Sequence, residues 1–255
     1  MFYKHWVTEN LLCDAYAKHT HNTYEMIWFL DGDATHVVED RIYKLKKGDL
    51  VLIRPSQYHF IRIDSISRYE RYNIQFDPIA DHVEGIDLLP EGIEVISLED
   101  APIIESLFVK GDYYQSCSSE DIFAKVFSHL LSELFYYIYL IPQSKVQKGE
   151  RLSGLISGAL QYINENLCTI ESIAELAERL FVSESYLFRL FKKELHQTPK
   201  KYIREKRLLL AQKMILAGEK PTEVCKRCGF LEYTTFYRSY LSFFGVAPSE
   251  KIGGK

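Results

Sequence analysis

The 255-residue sequence has no uninterrupted apolar run of membrane-spanning length. Its most apolar window, residues 122–141, is broken by Lys125, His129 and Glu133. These fall on one helical face, the pattern of an amphipathic soluble helix and not of a lipid-facing span. The opening Met1-Phe2-Tyr3-Lys4-His5-Trp6 has no apolar core followed by a small-residue cleavage site, so no signal peptide and a cytoplasmic location are expected. Cysteine is scarce and odd in number, five in all, which fits reduced thiols and excludes a disulfide framework. Cys225-x2-Cys228 lacks the second Cys pair that a zinc tetrahedron needs, so it reads as packing, with redox sensing as the other reading. The chain also lacks a basic excess: 31 Lys+Arg stand against 35 Asp+Glu, a net charge of −4.

That average conceals an asymmetry. Residues 1–150 carry 14 Lys+Arg against 24 Asp+Glu, or −10, and residues 151–255 carry 17 against 11, or +6. The basic part also contains one structural phrase twice, each time a helix, a tight turn and a second helix. The first copy runs Ile173-Ala174-Glu175-Leu176-Ala177, Leu180-Phe181-Val182, then residues 183–193; the second runs residues 222–228, Gly229-Phe230, then residues 233–240. Two helix-turn-helix units allow one chain to read two neighbouring stretches of major groove. A basic field around them supplies the attraction to phosphate that double-stranded DNA requires.

Ser183 stands where an N-cap belongs. With Leu187, Leu190 and Phe191 toward the interior, Ser185, Arg189 and Lys192 fall on the opposite side of the helix. The same logic exposes Tyr233, Thr234, Tyr237 and Arg238 in the second unit. Arg189 is long and permanently charged, suited to a guanine edge or a phosphate. Between the units, residues 199–216 form a predicted helix opened by Pro199 and carrying Arg204, Lys206, Arg207 and Lys213. Eighteen residues make a strut of roughly 27 Å, which puts the recognition helices about one DNA turn apart.

Ile173 to Ala177, residues 183–193, Thr198-Pro199-Lys200-Lys201-Tyr202-Ile203, residues 207–211, Gly229-Phe230 and Gly245-Val246-Ala247-Pro248 together resemble the AraC/XylS-type DNA-binding domain. The resemblance covers about a third of the chain and implies a bacterial transcriptional regulator whose base-reading positions are Ser185, Phe188, Arg189, Tyr233, Thr234, Tyr237 and Arg238. Three departures stand out: His196 replaces a usual Gly, Pro221 replaces a branched apolar residue, and Tyr240-Leu241 stands where Phe-Lys is common. The last removes a phosphate contact from the second unit.

In the acidic part, residues 26–30, 36–38, 50–53 and 72–76 are short β-rich runs separated by turn signals, the signature of an antiparallel sandwich or barrel. Residues 101–115 and 119–141 switch to helical periodicity. His19-x-His21-x3-Glu25-x6-Gly32 resembles the first cupin signature, and residues 47–59, ending in His59, resemble a degenerate second one without its glycine and terminal Asn. The resemblance is to sensor domains attached to AraC-type regulators. His19, His21, Glu25 and His59 suit a first-row divalent metal or line a ligand pocket; the pocket is the expected role, with no metal or other cofactor. Trp28, Tyr24, Tyr58 and Arg62 are the further candidate contacts, for a small polar effector such as a sugar.

The expected fold is α+β: a cupin-like jelly-roll barrel (1–100), a helical dimerisation segment (101–142), a linker (143–150) and an all-α double helix-turn-helix domain (151–255). The apolar stripe of Phe127, Leu131, Phe135 and Tyr139 is expected to cover the barrel and to join a homodimer. The reading is a non-enzymatic, effector-responsive regulator controlling sugar or related small-molecule metabolism genes. The alternative is a metal-dependent cupin enzyme fused to a DNA-binding domain.

Overall fold

The computed structural model describes residues 1–9, 21–65, 68–99 and 101–250. The chain divides into two compact units, Met1–Glu150 and Arg151–Lys255.

Unit 1 contains two antiparallel sheets. Strands β1 (Phe2–Thr8), β2 (Tyr24–Asp31), β5 (Asp49–Ile53), β7 (Tyr69–Phe76) and β8 (Val95–Ser97) form a five-stranded sheet in the order β1-β7-β2-β5-β8. Strands β3 (Ala34–Val38), β4 (Arg41–Lys44), β6 (His59–Ile63) and the short β9 (Glu150–Arg151) form the other, in the order β6-β3-β4-β9. The alternation of side chains sorts residues to the two faces of the larger sheet. Ile27, Phe29, Val51 and Ile53 face the smaller sheet and pack with Val38, Tyr43, Ile61 and Ile63. Met26, Trp28, Leu50, Leu52 and Ile74 face the other way, into a core completed by two helices.

Those helices are α1 (Pro102–Cys117) and α2 (Glu120–Leu140), the second capped by the Ser119 hydroxyl. Phe127, Leu131, Leu134, Phe135 and Ile138 of α2 are buried in the sheet-facing core. At about 1.5–3 kcal/mol for each large apolar side chain removed from water, this stripe is a main support of unit 1. Most of the stripe expected to join a second copy is thus consumed within the chain; Tyr139 remains exposed, as do Val109, Tyr113, Ile122 and Leu140. Tyr3 ties β1 to the helices, donating a hydrogen bond to Asp112 Oδ1 at 2.8 Å, while Tyr72 hydroxyl donates to the other oxygen of the same carboxylate.

Residues 143–150, expected as a linker, are held against unit 1. Val146 bridges to Ile96, the Gln147 backbone N–H donates to Val95 O at 2.9 Å, and its side chain donates to Ser97 Oγ at 2.9 Å. Gly149 lies so close to the Tyr43 ring that an added Cβ would stand 2.5 Å from its Cζ.

Unit 2 is helical: α3 (Gly154–Glu165), α4 (Ile173–Arg179), α5 (Glu184–Glu194), α6 (Pro199–Leu216), α7 (Pro221–Arg227) and α8 (Tyr233–Phe244). Side-chain oxygens of Ser153, Ser172, Ser183 and Thr198 cap the first four. Each cap satisfies an orphan backbone N–H and contributes about 1 kcal/mol. The helix α7 opens instead on Pro221, whose missing N–H costs nothing at a first helical position. No helix among the described residues is long and apolar enough to cross a membrane.

Candidate DNA-reading helices and effector pocket

The two helix-turn-helix units of unit 2 are close to superimposable in their local chemistry. In the first, Phe181 N–H donates to Glu178 O and Val182 N–H to Ala177 O; in the second, Gly229 N–H donates to Lys226 O and Phe230 N–H to Cys225 O. Phe181 and Gly229 therefore hold equivalent turn positions, and both have positive φ, 56° and 79°. The second turn then has one extra residue, Leu231, almost fully exposed. Beyond the turns, Leu187 and Phe191 of α5 are buried, as are Phe236 and Tyr240 of α8 at the same spacing. With the buried pairs aligned, Ser185 matches Thr234, Phe188 matches Tyr237, Arg189 matches Arg238 and Lys192 matches Leu241. A 100° step per residue puts all of these on the faces turned away from the core.

Ser185, Arg189, Lys192, Tyr233, Thr234, Tyr237 and Arg238 are exposed and Phe188 is half-buried. Arg189 extends beside the Tyr186 ring, its Cζ 5.9 Å from the centroid. Arg238 Nε donates to Thr234 O at 3.4 Å, one turn back on the same helix. Neither arrangement commits a guanidinium to an acidic partner.

The expected basic strut exists as α6, but its cations divide. Arg204 is exposed, whereas Arg207 is turned inward and binds three backbone carbonyls: Leu167 O at 2.8 Å, Gly229 O at 2.8 Å and Ile170 O at 2.6 Å. Burial lowers its pKa from the ordinary guanidinium value, and the three carbonyls supply hydrogen bonds in place of water. Arg207 is thus a clamp between the loop before α4 and the turn before α8. A sequence rule that counts basic residues toward DNA cannot separate it from Arg204. Cys225 and Cys228 are buried, with Cys228 Sγ 3.6 Å from Met214 Sδ and its thiol pushed up to about 12 by burial. That places both in the packing role.

In unit 1, Glu25 on β2 is buried between the sheets and collects donors from three directions. His21 Nε2 lies 2.8 Å and His59 Nε2 2.9 Å from its Oε2, and Asn73 Nδ2 donates to Oε1. Burial acts to raise the Glu25 pKa, but the hydrogen bonds from His21 and His59 outweigh it and hold the carboxyl well below its usual range. Each histidine turns its other nitrogen toward a backbone carbonyl, His21 Nδ1 to Thr23 O at 2.8 Å and His59 Nδ1 to Gln57 O at 3.0 Å. Those carbonyls favour protonated Nδ1, so Nε2 of each ring faces Glu25 with either a proton or a lone pair available to a cation. The ligand atoms of His21, Glu25 and His59 lie within 4.8 Å of one another, compatible with a metal ion. His19, the fourth candidate, lies outside the described residues.

Beside this cluster is a pocket of about 240 Å³. Glu25, His36, His59, Arg71 and Asn73 give it a polar wall; Phe2, Trp6 and Phe60 give it an aromatic one. Asn73 Oδ1 is buried without a hydrogen-bond partner among the described residues. Trp28 does not line this pocket. It sits on the other face of β2, stacked on Phe108 with centroids 4.5 Å apart, because strand alternation sends positions 25 and 27 between the sheets and position 28 to the helices. Tyr24 also belongs to the helix-facing core, and Arg62 is exposed. The pocket residues missed in the sequence had a signal: Arg71, Asn73 and Gln75 are polar at every second position of β7 among Tyr72, Ile74 and Phe76. That pattern normally marks a solvent face; here it faces the other sheet.

Residues 176–252 match the helix-turn-helix domain model and residues 13–108 match the model of the AraC-like ligand binding domain, so that most of the chain is accounted for by the two together. The chain belongs to the AraC family. YdiP of Escherichia coli, an HTH-type transcriptional regulator, is 25% identical over 247 residues, covering 91% of this chain and 79% of its own. The HTH-type transcriptional activator RhaR of an Enterobacter strain is 24% identical over 260 residues, covering 92% and 86%. LumQ of Photobacterium leiognathi, a probable transcriptional regulator, is 33% identical over 104 residues, which span 40% of this chain and 41% of LumQ. Among solved structures, ToxT of Vibrio cholerae aligns over 97% of this chain and 95% of its own at 17% identity and a TM-score of 0.39. This AraC-family chain is therefore a transcriptional regulator with a helix-turn-helix DNA-binding domain and an AraC-like ligand-binding domain.

Proposed function

We propose that this AraC-family protein is a cytoplasmic, non-enzymatic regulator that reads two adjacent major-groove sites with α5 and α8 and responds to a small polyhydroxylated effector, such as a sugar. The matched outward positions of the two helices carry the DNA half of this reading. Ser185, Arg189 and Lys192 act in the first unit, with Phe188 at its edge, and Tyr233, Thr234, Tyr237 and Arg238 in the second. Gel-shift titration of the full chain on genomic fragments tests it: affinity should fall with salt at roughly −0.9 per phosphate neutralised. Arg189→Ala should cost about 1–3 kcal/mol at the preferred fragment and leave the fold intact. Binding that ignores both salt and Arg189 refutes the assignment.

The unpartnered Asn73 Oδ1 carries the effector half, since a buried acceptor calls for a donor and a hydroxyl provides one. Trp6 and Phe2 offer flat apolar surface to the C–H face of a sugar ring. The pocket is smaller than the range of about 300–1,000 Å³ common for drug-sized ligands, which favours a compact molecule. A thermal-shift panel of pentoses and hexoses should contain one that raises the melting temperature of wild type but not of Asn73→Leu. A panel in which no sugar does so removes this effector class. The His21, Glu25 and His59 cluster favours the cupin-enzyme alternative, which requires about one tightly held divalent ion per chain, lost on His21→Ala, together with turnover.

A homodimer is part of the reading, and the exposed Val109 and Tyr113 on α1 support a surface for it. Val109→Glu with Tyr113→Glu should convert a dimer to a monomer in sedimentation without lowering the melting temperature. A monomeric wild type discards that surface.

A further inference from the structure

Base reading uses one sector of α8 and the core uses another, but a third sector is built just as definitely. Thr235, Ser239 and Ser242 line a groove of about 550 Å³ against α6, which contributes Lys201 and Arg204. Arg238 lines the same groove while also standing on the base-reading face. Three cations and three hydroxyls therefore converge beside the helix that reads DNA. The one carboxylate there, Glu205, is buried and partnered by Lys201 at 3.6 Å, and burial raises its pKa from the usual value. The groove is net positive.

We propose that this groove holds a phosphate of the DNA strand that borders the major groove entered by α8. The proposal rests on the DNA-binding reading above and extends it to residues outside the recognition faces. Continuity decides the occupant: Arg238 joins the groove to the reading face, so a backbone running along α8 meets Arg204 and the serine hydroxyls without leaving the DNA. Hydroxyls and guanidinium groups are the donors that phosphate oxygens accept from, and such contacts fix register without carrying sequence. Unit 2 also has a need for it. Leu241 occupies the position that Lys192 holds on α5, so the outward face of α8 lacks one cation that its counterpart has. The positions on α5 matching Ser239 and Ser242 are Leu190 and Lys193, so the first unit has no equivalent serine-lined groove. The two units thus grip the backbone by different means, the first from the recognition face and the second from its flank.

The test uses the full chain, a genomic fragment selected by that chain and a scrambled fragment of equal length, with affinities measured from 50 to 200 mM salt. Lys201 is left in place because it partners Glu205. Arg204→Gln should flatten the salt slope by about 0.9, so that affinity falls about 3.5-fold less steeply over this fourfold salt range. Ser242→Glu should weaken binding to both fragments by the same factor, since a phosphate contact carries no sequence information. Circular dichroism melts establish that both variants fold. Arg189→Ala runs in parallel and should reduce discrimination between the fragments. If Arg189→Ala does so while Arg204→Gln and Ser242→Glu keep the wild-type slope and affinity, the groove proposal is overturned and the DNA reading stands. Loss on the selected fragment alone would make the groove a base-reading surface, which also overturns it. A wild type with no salt-dependent binding to either fragment removes both. Competition by free inorganic phosphate at millimolar concentration and constant ionic strength, abolished by Arg204→Gln, would support the assigned chemistry.

Discussion

Replacing Gly229 with Ala separates two costs that usually arrive together. The first is conformational: a residue with a Cβ in the left-handed region loses about 1–2 kcal/mol, and Gly229 sits at φ +79°. Gly245 has nearly the same φ, +73°, but a Cβ there meets nothing within 4 Å, so Gly245→Ala measures this cost by itself. At 229 the new methyl would stand 2.5 Å from Cys168 O and 2.8 Å from Arg207 Cζ. Neither neighbour is free to move, since the guanidinium is fixed by the carbonyls of Leu167, Ile170 and Gly229. Losing one such charge-assisted hydrogen bond costs about 1.5–3 kcal/mol, which brings Gly229→Ala to about 2.5–5 kcal/mol in all. At about 4–5 °C per kcal/mol for a unit of this size that is a fall of about 10–25 °C in melting temperature, against about 4–10 °C for Gly245→Ala. The measurement has an internal reference, because both tryptophans, Trp6 and Trp28, lie in unit 1. Far-UV circular dichroism should register the loss in unit 2 while tryptophan fluorescence unfolds at the wild-type midpoint. Equal losses for the two alanine variants would refute the clamp.

Other outcomes follow from single residues. Trp28→Ala should cost about 3–5 kcal/mol of stability through loss of the Phe108 stack, whereas Trp6→Ala should mainly weaken effector binding; the reverse assignment in paired melting and ligand-shift data would invert the faces of the sheet. The depressed pKa of Glu25 means that its stabilisation is complete above its unfolded value, about 4.3, and is lost only as pH falls through the lower folded value. The stability gap that separates wild type from Glu25→Gln at pH 5 should accordingly close in stronger acid; a gap that widens toward low pH would show that the carboxyl is not held ionised.

The outward faces of α5 and α8 were legible in sequence because helical period and residue type agree there: Leu187, Phe191, Phe236 and Tyr240 locate the core, and the exposed positions follow by geometry. The faces of β2 were not legible, since an alternating strand says that Glu25 and Trp28 oppose each other but not which side holds the pocket. Arg207 misled because a guanidinium binds carbonyls as readily as phosphates, and only the approach of Gly229 and the loop before α4 decides between them. β1 escaped notice because neither of its faces is consistently apolar: Phe2, Lys4 and Trp6 alternate with Tyr3, His5 and Val7, a pattern that resembles an exposed terminus. Residues 143–150 read as a tether from their polarity, while what holds them is largely backbone pairing, to which side-chain type is nearly blind.

That pairing has a consequence for how the sensor unit can be handled apart from the rest. β9 lies at the margin of the smaller sheet and covers β4, with Gly149 seated on Tyr43 just before it. A chain cut after Pro142 would strip that cover and leave the N–H and C=O groups along one side of β4 without their sheet neighbour, the condition that invites edge-to-edge association between molecules. It would also uncover the Tyr43 ring, whose hydroxyl is bound to Glu94 Oε2 at 2.8 Å in the interior. The last residues of the sensor thus serve as its selvage, and its solubility as a separate piece depends on keeping them.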